Sequence, residues 1–109
     1  MTVKSSIAEL DPADVQTVGQ ALIAAVEGPF FPDWEFETLI GVERATVRTL
    51  AQSWPDLVGD EESEAAAVVN VLNNLVGYPH GRNDDLERRV PGGSDQIAAV
   101  LDRLLDAGF

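Results

Sequence analysis

The sequence predicts an all-α protein, a single-domain bundle of about five helices in which two short helices cross at a glycine turn. Three observations predict it. Apolar residues recur at helical spacing along most of the chain. No useful length alternates apolar and polar residues as a half-buried strand does. Prolines and glycines fall between the periodic stretches rather than inside them. With 109 residues, 45% of them apolar, residues 1–109 suit one modest core, and the absence of cysteine leaves that core to packing alone.

The first helix starts at Asp11-Pro12, with Asp11 as N-cap, Pro12 in the first turn and Leu10 placed to staple against Val15. Val15, Val18, Leu22 and Val26 mark its inner face until Gly28-Pro29 stops it. In "GPFFPDWEFETLIG" the prolines favour extended backbone around Phe30 and Phe31. Asp33 then caps a short second helix running to about Ile40, and Gly41 supplies the left-handed turn residue. Val47, Leu50, Ala51 and Trp54 form the stripe of a third helix, closed by Pro55.

After the linker "PDLVGD", the acids Asp60, Glu61, Glu62 and Glu64 sit where a helix dipole favours negative charge. Ala65, Val68, Leu72, Leu75 and Val76 give the inner face of a long fourth helix, ended by Gly77 and Pro79. "HGRNDDLERRVPGG" has only Leu86 and Val90 to bury and reads as a loop with at most one helical turn. Ser94 is expected to cap the last helix, whose inner face is Ile97, Val100, Leu101, Leu104 and Leu105. The first, fourth and last helices should supply most of the core, with the second and third set across them.

Nineteen acids stand against seven bases, a formal net charge of −12, and no base occurs from Ser5 to Glu43 or from Thr49 to Gly81. Such a surface repels phosphate backbones and anionic membranes and attracts basic partners. No apolar run approaches the roughly 20 residues of a membrane span, and "MTVKSSIAELDP" lacks a signal-peptide core. The expected location is cytoplasmic, with no membrane contact.

"LIGVERATVRTLA" resembles the helix-turn-helix of bacterial repressors over about twenty residues, Asp33 to Gln52, with Phe36, Ile40, Val42, Val47 and Leu50 at packing positions around Gly41. It departs at Glu37, where that motif places a small residue, and at Glu43, where it places a capping Ser or Thr. The would-be recognition helix exposes Arg44, Thr46, Arg48, Thr49 and Gln52, but the flanking Glu35, Glu37 and Glu43 oppose a phosphate backbone. DNA reading is therefore the least favoured function. The segments "GPFFPDWEF", "AQSWP" and "NNLVGYPHG", in that order, resemble a group of small acidic bacterial proteins of high-GC genomes. That resemblance spans most of residues 28–81 and implies membership without a mechanism.

His80 in "GYPHGRNDD" is the one histidine and could serve as a general base beside Asp84 or Asp85. No spacing supplies metal co-ligands, so no metal or cofactor is expected. Ser53, Ser63 and Ser94 lack a nucleophile-elbow setting, and "PGGSD" has no lysine to make it a phosphate loop. Catalysis is not favoured. Asn70, Asn73 and Asn74 place three amides on one side of the fourth helix, suited to bonding a neighbouring loop.

The expected function is a protein-interaction or regulatory module that holds a protein partner, with a basic surface, or a second copy of itself. The expected surface comprises Phe30, Phe31, Asp33, Trp34, Asn70, Asn73, Asn74, Tyr78, His80 and Arg82. One of Phe30 and Phe31 should enter the core and the other stay available, while Asn74 bonds backbone between Gly28 and Trp34. The alternative is a small-molecule or enzymatic site with His80 as base and Asn74 or Arg82 orienting a ligand.

Overall fold

Asp11 caps the first long helix as its sequence requires, the carboxylate accepting the Ala13 N–H at 3.2 Å, with a proline next in line. The computed structural model describes residues 7–109, so Lys4 and most of the N-terminal stretch read for a signal peptide lie outside the described residues. Residues 7–9 are helical. Thereafter come α1 (Pro12–Glu27), α2 (Asp33–Ile40), α3 (Arg44–Ser53), α4 (Glu61–Gly77), α5 (Asn83–Arg89) and α6 (Gly93–Asp106), with no strand among the described residues. The all-α class holds. The count of five does not, because residues 7–9 add a short helical stretch and the segment read as a loop forms α5.

The cause lies in charge order and two anchors. Asp84 and Asp85 occupy the first turn of α5 and Arg88 and Arg89 the last, the arrangement that a helix dipole favours. Asp85 pairs with Arg89 at 3.0 Å and with Arg88 at 3.3 Å, while Leu86 and Val90 are wholly buried. At the next boundary Ser94 is not the cap. Gly92 holds that position with φ of 89°, and α6 starts at Gly93.

One core joins α1, α4 and α6, with α3 packed across α1 and α2 across α4. Val18, Leu22, Leu72, Leu75, Ile97 and Leu104 are fully buried, and each contributes about 1.5–3 kcal/mol relative to exposure. Val76 and Leu105, expected inside, are 40% and 50% exposed, so their helices carry wider apolar faces than the core covers. Leu57, in the linker before α4, is buried instead.

Gly19 departs from the expected punctuation by lying inside α1. The Trp54 ring sits over it: a Cβ there would stand 3.2 Å from Trp54 Cδ1, and Trp54 Nε1 donates to the Val15 carbonyl at 2.8 Å. Asp14, also on α1 and 5% exposed, accepts two hydrogen bonds from Arg103 at 2.6 and 2.8 Å, which ties α1 to α6.

Candidate interaction surface

The segment after α1 does not run extended. Residues 29 and 30 form a turn, whereas an extended pair would point to opposite faces. Phe30 and Phe31 therefore both go inward, at 1% and 5% exposure, and the expectation that one stays available is overturned. Phe30 meets the His80 ring edge-on with centroids 5.0 Å apart. Phe31 meets Phe36 at 6.0 Å and Tyr78 at 5.6 Å, again edge-on. "GPFFPDW" and "NNLVGYPHG" do come together, but through rings rather than amides.

The asparagines hold a different element. Asn70 Nδ2 donates to the Ile40 carbonyl at 2.8 Å, and Asn74 Nδ2 to the Leu39 carbonyl at 3.1 Å and to Asn70 O at 2.8 Å. These are carbonyls at the C-terminal end of α2, left free by helix geometry and by the turn at Gly41, whose φ is 93°. Asn74 thus bonds a backbone as expected but not the one between Gly28 and Trp34, while Asn73 faces solvent.

Arg44 opens α3 and is the residue the sequence places wrongly. Read as an exposed base, it turns inward, its side chain 22% exposed. The guanidinium donates to the carbonyls of Ala25 at 3.2 Å, Val26 at 2.8 Å and Phe31 at 3.1 Å. It also pairs with Asp33 at 2.9 Å and lies 4.4 Å over the Phe36 ring. The C-terminal end of α1, the phenylalanine turn and the start of α2 are thereby fastened to one cation. The α2–Gly41–α3 pair has the predicted turn, yet one of the two cations on its would-be recognition helix is engaged inside the protein.

Tyr78 donates its phenol to Glu35 Oε2 at 2.7 Å. That hydrogen bond, joined by desolvation and the Glu35 charge, raises the phenol above its ordinary pKa of 10.0. A raised folded-state pKa stabilises the fold fully below the unfolded value, and the contribution is lost as pH rises through the folded value. Tyr78 is the one tyrosine of the chain. Its absorbance titration should therefore have a midpoint above 10.0 in the native protein and return toward it in Glu35→Gln. A wild-type midpoint no higher than the variant's would show that the bond does not persist in solution.

His80 uses both ring nitrogens. The Arg82 N–H donates to Nδ1 at 2.9 Å, which places the proton on Nε2, and Nε2 donates to the Leu75 carbonyl at 3.0 Å. This pairing turns the chain between α4 and α5. It leaves no free nitrogen to abstract a proton, and Asp85 is committed to Arg88 and Arg89. The Arg82 side chain is exposed, and among the described residues no three His, Asp or Glu side chains lie together as metal ligands would.

Trp34 is the remaining member of the expected set, and it is 79% exposed. Its neighbours Asp33 and Glu35 are held by Arg44 and Tyr78 respectively, so an apolar ring stands in solvent on a fastened backbone. The sequence singled out both segments, "GPFFPDW" and "NNLVGYPHG", but placed their contact on the asparagine amides rather than on the rings. It missed Arg44, because nothing in a lone arginine after a turn glycine says whether it faces carbonyls or water. Comparison of the chain with family models, with curated proteins and with solved structures finds no match.

Proposed function

We propose that the protein is an interaction module that presents Trp34, on the acidic first turn of α2, to a basic segment of a protein partner. The observation that carries this reading is the 79% exposure of Trp34 beside Asp33, whose side chain stays 94% exposed even while paired with Arg44. Tryptophan ringed by polar groups is a common interface anchor, and an anchor already fixed in place loses less conformational freedom on binding.

The net charge of −12 favours a basic partner over a second copy, since two such surfaces repel. The alternative of a site around His80 has less support, because both imidazole nitrogens are engaged. Membership of the bacterial group suggested by the three shared segments belongs to this reading and adds no mechanism. No helix of the described residues is long and apolar enough to cross a membrane.

Because Phe31 is core, Trp34→Ser is the informative substitution. Its stability should stay within about 0.5 kcal/mol of wild type, as for surface changes generally. The wild-type chain is expected to capture a basic protein from native lysate, less as salt rises, and the variant to lose it. Equal capture by both chains would overturn the role of Trp34.

A further inference from the structure

A cleft of about 380 Å³ opens between α3, the Gly41 turn and the first turns of α4. Leu50 and Ala67, both 3% exposed, form its floor. Val42 and Val58 stand beside them, and Val58 is 72% exposed, an apolar side chain left at the mouth. Thr46, Thr49, Gly59, Asp60, Ser63 and Glu64 complete the lining among the described residues, and the charges these bring are negative.

The edge is built rather than loose. Ser63 Oγ donates to Asp60 Oδ2 at 2.7 Å, and the Gly59 N–H donates to Glu64 Oε1. These bonds fix the linker to α4 and orient both carboxylates, and neither meets a basic side chain among the described residues. Arg48, the nearest base in sequence, lines a separate cleft against Ile23, Val26 and Glu27 of α1.

The occupant that satisfies this lining has an apolar body and one positive end. The volume lies near the lower end of the roughly 300–1,000 Å³ of small-molecule pockets, which suits a compact ligand better than a partner helix. We propose that this cleft binds a small organic cation, its hydrocarbon on Leu50 and Ala67 and its ammonium or guanidinium between Asp60 and Glu64. The site is separate from the Trp34 surface and does not depend on its role.

Amide chemical shifts of the full chain, titrated with n-heptylammonium, n-heptanol and heptanoate at moderate salt, test the proposal. Saturable shifts are expected at Val42, Leu50, Ser63, Glu64 and Ala67, with heptylammonium binding about fivefold more tightly than heptanol and heptanoate weakest. The double variant Asp60→Asn, Glu64→Gln keeps an acceptor at each position, and circular dichroism will show that its helices persist. In it the preference for ammonium over alcohol should fall to about twofold or less while heptanol binding is unchanged. Trp34→Ser should bind as wild type does. Shifts centred elsewhere, equal binding of alcohol and ammonium to wild type, or a preference retained by the double variant would each overturn the assignment.

Discussion

Replacing Arg44 with alanine is expected to cost about 2–4 kcal/mol, which lowers the melting temperature of a chain this size by roughly 10–20 °C. The loss is larger than for a surface ion pair because the guanidinium does not chiefly serve Asp33. It serves three carbonyls, those of Ala25 and Val26 at the end of α1 and of Phe31 in the phenylalanine turn, and so holds both to α3. Two of them lie in the last turn of α1, where unpaired acceptors and the negative end of the dipole both favour a cation. Arg44→Lys should fall between, since one ammonium cannot span three separated oxygens and also stand over Phe36. Thermal and urea unfolding of the three chains measures this. A loss under about 1 kcal/mol for alanine, the range of exposed pairs, would mean the clamp is not maintained in solution.

Gly28→Ala is expected to cost about 3 kcal/mol, at the upper end for overpacking. The backbone conformation is not the obstacle, because φ of −85° suits any residue. Space is: the new methyl would stand 2.4 and 2.7 Å from two carbons of the Phe30 ring and 2.6 Å from the Ala24 carbonyl oxygen. Phe30 is 1% exposed and braced by His80, so the ring has nowhere to retreat. Ala24 O already accepts the Gly28 N–H at 2.7 Å. If steric conflict with the ring is the cause, Phe30→Leu in the same chain should relieve part of it. The double variant should then be at least about 1 kcal/mol more stable than the summed single losses predict. Strict additivity would assign the cost to the helix end instead.

Element positions were largely legible because Asp11-Pro12, Gly41 and Gly77 punctuate strong apolar periods. α5 was not, since a two-turn helix with one buried residue offers no periodicity, and its signal lay in the order of Asp84, Asp85, Arg88 and Arg89. The meeting of "GPFFPDW" with "NNLVGYPHG" could be inferred from unmet needs on both sides. Which groups met could not. Adjacent phenylalanines go to opposite faces or to one face according to a single turn, and the amide of an asparagine reaches any carbonyl within a few ångströms. The cleft above α3 was also hidden, because it joins two stretches of chain, 42–50 and 58–67, whose meeting no sequence period marks.

The two tryptophans divide the protein into a part that can be watched folding and a part that can be watched binding. Trp54 is packed over Gly19, bonded to Val15 and edge-on to Phe109 at 6.3 Å. Trp34 stands almost free. A chain with Trp34→Phe would emit only from the half-buried Trp54, so its fluorescence would follow closure of α1 on α3 and ignore a ligand at α2. A chain with Trp34 alone, made by Trp54→Phe, would begin with the red-shifted emission of a hydrated indole and shift to the blue as a partner covers it. The proposed interaction thus has an optical signature built into the sequence, with no dye attached.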